Sequence, residues 1–294
     1  MKVTLHIIFL LKGHHLINYK EVKPEHPLIS RYVHSYTYSI GDISEKEGKY
    51  ITRAFPTFLT NFMFEFCGNL SEIHTDNKIT SIDRRTYVNS GIGSWMDIFQ
   101  IPSNSSRPIK NLKVDFYPNA VFDIFGISPF ELIDSDIRVE DIWGNRSECL
   151  LLCEELEKES SGMNMVKIFE KYLLLRLKDI TIADPYTPFF LNKQPDLKVF
   201  SKTLGYSPRW IQKKHQEVFG VSFKMMQNNM RFLSTLEHLN KLAASRKEIN
   251  FSSFAQDHEY YDQAHFIKEF KRFTGMTPSE YVSKRFKDIV RFYW

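Results

Sequence analysis

The chain has 294 residues, 43% apolar and 25% charged, enough for two domains of ordinary size, each with its own core. Its net charge of +4 is unevenly placed: residues 195–294 hold 17 Lys and Arg against 10 Asp and Glu, and the rest holds 22 against 25. That asymmetry directs an anionic partner to the last third, while three cysteines (Cys67, Cys149 and Cys153) exclude a disulfide framework and a Cys-x-x-Cys metal pair.

So few cysteines suit a reducing, cytoplasmic compartment. The apolar run Val3–Leu11 is interrupted by His6 and followed by Lys12, Gly13, His14 and His15. It reads as a strand or an extension, too short to cross a membrane and lacking the small residues of a cleavage site. Residues 20–145 read as mainly β. TFLTNFMFEF (57–66) puts Phe58, Phe62, Phe64 and Phe66 on one side of a strand, and KNLKVDFYP (110–118) does the same with Leu112, Val114 and Phe116. Turn-rich CGNLSE, NSGIGSW and PSNSSRP separate such runs. Next, NAVFDIFGISPFELID predicts a short helix ended by Gly126 and then a turn. CLLLCEELEKE and MVKIFEKYLLLRLKD predict two amphipathic helices around the break SSGMN. TIADPYTPFFLNKQP, with three prolines, reads as a linker. From Asp196 onward the pattern is helical again.

In this last part a helix over Gln263–Thr274 is expected, capped by Asp262 and closed by Gly275. At 100° per residue, Phe266, Phe270 and Phe273 fall within about 60° of one another and form an apolar stripe. Ala264, Lys268, Lys271 and Arg272 fall roughly opposite, with His265 on the flank. The same pattern stands 55 residues upstream in GYSPRWIQKKHQEVFGVSF (205–223). Ser207 takes the place of Asp262 and Gly220 that of Gly275. Ile211, His215 and Val218 repeat the stripe; Arg209, Lys213 and Gln216 repeat the outward face. Each copy follows a short helical run, LKVFSKTL or FSSFAQDH, across a tight turn. Helix, turn and second helix with a basic outward face is the helix-turn-helix pattern, here present twice around MMQNNMRFLSTLEHLNKLA (225–243), a longer amphipathic helix.

On these residues, and above all on FAQDHEYYDQAHFIKEFKRFTGMTPSEY, the chain from about 195 to 285 resembles the DNA-binding domain of the AraC/XylS family of transcription regulators. The resemblance implies seven helices, with two recognition helices entering successive major-groove segments. It implies that Arg209, Gln212 and Lys213 contact bases or backbone in the first unit, and Ala264, His265 and Lys268 in the second, with Gln263 at its start. Lys214, Lys271 and Arg272 fall to phosphates. HPLISRYVHSY and VDFYPNAVFDIFGISPFELID are similar to a β-rich regulatory domain of such proteins. The expected architecture is therefore α+β: a jelly-roll-like sensing domain over 1–145, a helical pair over 146–180 as dimerisation element, a linker over 181–195 and the DNA-binding domain over 196–294. The implied partners are double-stranded DNA, RNA polymerase, a small-molecule effector and a second copy of the chain, with no membrane and no cofactor.

Three residues depart from the family pattern. His215 replaces an aromatic core residue and is expected as a hydrogen-bonded core histidine. Glu259 stands where a turn glycine is usual, which strains or reshapes the turn. Ala264 offers only apolar contact, for instance to a thymine methyl, which thins readout by the second unit. Aromatic positions such as Phe62, Phe64 and Trp95 are candidates for a pocket lining, but as a period-two stripe they read as core, and no effector residue is assigned. No nucleophile elbow, P-loop, dinucleotide turn or paired-histidine metal set occurs, so no enzyme and no metal are expected. The alternatives are a DNA-targeted enzyme of the alkylation-response type, which needs several metal-bound cysteines where only Cys67 precedes residue 149, and a small-molecule-binding protein without specific DNA readout. Cys149 and Cys153, one turn apart, read as buried, with a redox sensor as the competing role.

Overall fold

The structure, a computed structural model, describes residues 19–41, 50–57, 59–66, 70–74, 79–82, 86–90, 96–101, 109–133, 137–178, 180, 197–245, 248–285 and 291–293. The opening apolar run, Phe58, Cys67, Trp95 and the 181–195 linker lie outside them. The strands are β1 (Tyr19–Val22), β2 (Val33–Gly41), β3 (Tyr50–Ala54), β4 (Thr60–Phe66), β5 (Leu70–His74), β6 (Ile79–Ile82), β7 (Thr86–Ser90), β8 (Met96–Ile101), β9 (Ile109–Phe116) and, far along the chain, β10 (Arg291–Tyr293). The helices are α1 (Pro118–Phe125), α2 (Val139–Ile142), α3 (Arg146–Lys158), α4 (Gly162–Leu177), α5 (Leu197–Leu204), α6 (Pro208–Phe219), α7 (Phe223–Ala244), α8 (Phe251–Asp257), α9 (Gln263–Thr274) and α10 (Pro278–Arg285). The fold is α+β, with a β-rich N-terminal part and a helical C-terminal part.

Two five-stranded sheets form, ordered β1-β2-β9-β4-β7 and β10-β3-β8-β5-β6. From β2 to β9 the chain passes repeatedly between them, and every pairing is antiparallel except β10 on β3. In the first sheet the period-two run does what its spacing predicts. Phe62, Phe64 and Phe66 of β4 lie beside Leu112, Val114 and Phe116 of β9, all buried on one face. The helical pair and α1 cover that face. Phe169 of α4 meets Phe64, Phe116 and Trp143 at ring-centroid distances of 5.7, 6.3 and 6.0 Å, and Phe125 of α1 lies 5.3 Å from Phe62. Each fully buried ring contributes about 2–3 kcal/mol of transfer free energy.

The opposite face of the same sheet is polar yet largely buried. Ser35 donates to the Asp115 carboxylate (3.0 Å), Asn61 donates to it as well, and Lys113 lies 3.1 Å away. Nearby, Ser39 donates to Asn111 (2.9 Å). A carboxylate 3% exposed persists because a cation and two donors compensate its desolvation.

Helices α3 and α4 run as a pair, fastened by Lys171–Glu155 (3.0 Å) and by the Tyr172 hydroxyl donating to Glu155 (2.7 Å). Cys149 and Cys153 are both buried in the core beside Leu152 and Leu156. The hydrogen bond with Cys153, together with burial, pushes the Cys149 thiol well above its ordinary pKa, so little of the reactive thiolate exists at neutral pH. Burial is therefore the observed state of both cysteines. Leu150, Leu151 and Leu175 remain exposed on this pair.

Gly162 opens α4 where Tyr38 presses against its backbone. A Cβ there would lie 2.0 Å from the ring. Gly162→Ala is expected to lower stability by about 1–3 kcal/mol through overpacking. Urea unfolding measures it, and an unchanged midpoint would contradict the close approach.

Candidate nucleic-acid interface

Each half of the helical C-terminal region is a helix-turn-helix unit, α5–α6 and α8–α9, with α7 between them. The two second helices are both twelve residues long and are stopped by the same devices. Ser207 accepts from the Trp210 N–H (3.3 Å) and Asp262 from the His265 N–H (2.7 Å), satisfying donors that a helix start leaves open. Gly220 and Gly275 close them at φ +72° and +74°, the left-handed conformation that glycine adopts without strain.

The stripes face inward as their spacing requires. Ile211, His215 and Val218 are buried in the first helix, and Phe266, Phe270 and Phe273 in the second. Phe232 of α7 receives the latter group, with its ring centroid 5.7 Å from Phe270 and 4.6 Å from Phe273. The opposite flanks are open: Arg209, Gln212 and Lys213 on α6, and Gln263, Ala264, His265, Lys268, Lys271 and Arg272 on α9, are all exposed. Among the described residues, no carboxylate lies within ion-pair distance of Arg209, Lys213, Lys268 or Lys271. Of the other cations in this region, Lys241 pairs with Glu237 and Arg231 with Glu269, while Lys202 and Lys224 are exposed without an ion pair among the described residues. Four of the uncompensated cations thus stand on the two outward flanks.

Two of the expected site residues sit differently from their neighbours. Lys214 is half-buried, paired with Glu217 at 2.9 Å and lying over the Phe122 ring at 5.2 Å, so it turns toward the N-terminal domain. His265 is held by its own unit: Nδ1 accepts from the Tyr261 N–H (3.4 Å) and Nε2 lies 3.8 Å from Glu269.

Sequence reasoning did not find the device that orients α9. Arg231 of α7 donates to both oxygens of Glu269 (2.9 and 2.8 Å) and lies 4.6 Å from the Tyr260 ring centroid. Burial opposes the Arg231 charge, but the Glu269 carboxylate outweighs it and holds the guanidinium pKa above its ordinary value. Burial, as the largest influence, pushes the Tyr260 hydroxyl up to about 12. Exposed aromatics beside each N-cap were also missed: Tyr206 stacks on Trp210 at 4.0 Å, and Tyr261 is 91% exposed. Tyr206 and Tyr261 stand at the same offset of 55 that relates the two caps, which is the signal that would have found them.

The departures resolve physically. His215 is a core residue, its Nδ1–H donating to the Val221 carbonyl (2.8 Å), with Phe219 and Phe223 rings 4.8 and 5.3 Å away. Burial lowers its pKa to about 4, the hydrogen bond opposing this only in part. Glu259 adopts φ +59°, so the second turn carries backbone strain of about 1–2 kcal/mol that a glycine would relieve.

Because His215 is neutral in the fold and has an unfolded pKa near 6.5, its contribution is fully present above about pH 6.5 and is lost as pH falls toward 4. Between pH 7.5 and 4.5 this loss amounts to about 2–3 kcal/mol. Urea unfolding of His215→Phe should show a pH dependence shallower by that amount; identical slopes for the two proteins would contradict the assignment.

Residues 200–284 match a protein family described as a helix-turn-helix domain. No curated protein matches the chain. Among solved structures, ToxT from Vibrio cholerae is similar at 15% identity and a TM-score of 0.34, over 84% of this chain and 98% of that one. The C-terminal domain of AraT, a response regulator from Geobacillus stearothermophilus, is similar at 23% identity and a TM-score of 0.26, over 34% and 79%. The AraC-like transcriptional activator CuxR is similar at 10% identity and a TM-score of 0.27, over 75% and 86%. Structural resemblances this slight fix no residue's role. The twin caps, the repeated turn and the family match over 200–284 together make the C-terminal region of this chain a helix-turn-helix domain.

Proposed function

We propose that the protein is a sequence-specific double-stranded DNA-binding regulator of transcription. One observation carries this reading: two helices of equal length and matching caps expose Arg209, Lys213, Lys268 and Lys271, which no carboxylate among the described residues neutralises. An 18 Å rod with such a flank suits a major groove about 12 Å wide. Arg209, Gln212 and Lys213 serve the first half-site, and Gln263, Ala264, His265 and Lys268 the second. Lys271 and Arg272, and Lys214 once freed from Glu217, serve phosphates. Since Ala264 is short and His265 is engaged by Tyr261 and Glu269, base readout is the thinner of the two under the second unit.

The finer parts of the reading concern the N-terminal domain. Its buried polar face, built on Asp115, Lys113, Asn61 and Ser35, is the place best suited to the polar end of a small effector. The α3–α4 pair, with Leu150, Leu151 and Leu175 exposed, suits association with a second copy, and RNA polymerase is the remaining partner of a regulator that activates.

Binding of the full-length protein to genomic fragments tests this reading. Five exposed cations (Arg209, Lys213, Lys268, Lys271 and Arg272) predict a log–log salt slope of about −4 to −5, and each Lys→Ala change should reduce it by about one. A slope near zero would defeat the proposal. Within a bound fragment, single base changes should cost more under the first unit than under the second, and equal penalties would refute the asymmetry.

A further inference from the structure

Each helix-turn-helix unit completes its hydrophobic core with side chains from the N-terminal domain. In the first unit, Phe122 of α1 and Ile133 pack against the cluster of Phe200, Ile211, Val218, Phe219 and Phe223. The Ser128 hydroxyl donates to the Glu217 carbonyl (3.0 Å), and Gly220 lies so close to the 129–130 backbone that a Cβ would fall 2.5 Å from the Phe130 nitrogen. In the second unit, Phe55 belongs to the same cluster as Phe232, Phe270 and Tyr281, its ring 6.0 Å from that of Tyr281. Beside it, Asn229 of α7 donates to the Pro56 carbonyl (3.1 Å). The chain beyond the second unit returns as β10, which pairs in parallel with β3, the strand that runs directly into Phe55.

The two units are joined through α7, about 33 Å long for its 22 residues. Each unit also packs against it, Phe223 and Met226 entering the first core and Phe232, Leu236 and Leu239 the second, so α7 sets their separation and steadies their tilt. The N-terminal domain adds one anchor on each unit: residues 122–133 on the first, and Phe55–Pro56 with β3 on the second. Neither anchor covers the outward flanks, since Arg209, Gln212, Lys213, Gln263, Ala264 and Lys268 stay exposed. A rigid body held at two points on each side of a linker has little remaining freedom. From this arrangement, and resting on the DNA-binding reading, we infer that the N-terminal domain acts together with α7 as the gauge that fixes the spacing and angle of the two recognition helices. The narrowness of the half-site spacing that the protein accepts then depends on Phe55 and Phe122, which act as positioning residues without touching DNA.

Selection from a random-sequence duplex pool with full-length protein tests this, reading the spacing between the two enriched half-sites. Wild type should enrich one spacing. Phe55→Ala should enrich several consecutive spacings, keep the same first half-site sequence, and bind the wild-type spacing about tenfold more weakly. Asn229→Ala and Phe122→Ala, each removing a smaller part of an anchor, should broaden the spacing in the same direction and carry the test if Phe55→Ala does not unfold cooperatively. Variants that keep one spacing and wild-type affinity would show that α7 alone is the gauge. Variants that bind the wild-type spacing more tightly would show that docking opposes DNA binding, and either result overturns the proposal. If wild type enriches no sequence, the DNA-binding reading itself fails, and the gauge with it.

Discussion

The rotational phase of two short helices governs everything else in this protein. A twelve-residue helix that must bury three side chains on one stripe has its opposite flank fixed by geometry, with no further choice available. In α9 the stripe is Phe266, Phe270 and Phe273, and the transfer of those rings from water far exceeds what any surface contact of Lys268 or Lys271 contributes. The lysines are therefore outside because the phenylalanines are inside. Capping then fixes where the flank begins and ends, and the Arg231–Glu269 pair locks its orientation against α7. Function is a by-product of packing in this sense: the exposed charge is aimed by the core beneath it.

The same logic extends across the molecule. The core of each helix-turn-helix unit meets the N-terminal domain, since Phe55 enters one and Phe122 borders the other. The aromatic richness of the chain, with 25 phenylalanines, is spent partly on these junctions and partly on the Phe62–Phe116–Phe125–Phe169 group under the first sheet. Polar groups are confined to places where partners meet them, as with Asp115 among Ser35, Asn61 and Lys113. The strand that carries Asp115, β9, leads directly into α1 and its Phe122.

Much of this was legible in the sequence because it is local. The period-two phenylalanines of β4, the glycines closing α6 and α9, and the 55-residue echo between Ser207 and Asp262 all encode structure within a dozen residues. Core placement of His215 and of Cys149 and Cys153 followed from their position on apolar stripes. What escaped was non-local. Asn229 and the Pro56 carbonyl it meets are 173 residues apart, and Arg231 finds Glu269 only once α7 and α9 have packed. No periodicity announces such pairs. Lys214 is the instructive case among the site residues: it lies about 70° from the centre of the buried stripe, at the offset of 55 that gives buried Glu269 in the second copy, and Phe122 and Glu217 hold it at the domain junction. The strained φ of Glu259 was foreseeable from a missing glycine, since only the residue type was needed.

On the proposed DNA-binding reading, α6 and α9 grip one duplex together, each from its own major-groove segment. Methylation protection at guanine N7, which lies in the major groove, measures this directly on a bound genomic fragment. The account requires two protected patches on one face of the duplex, separated by about one helical turn of 10–10.5 base pairs. A single patch, or binding with no protected guanine in either groove segment, would contradict it.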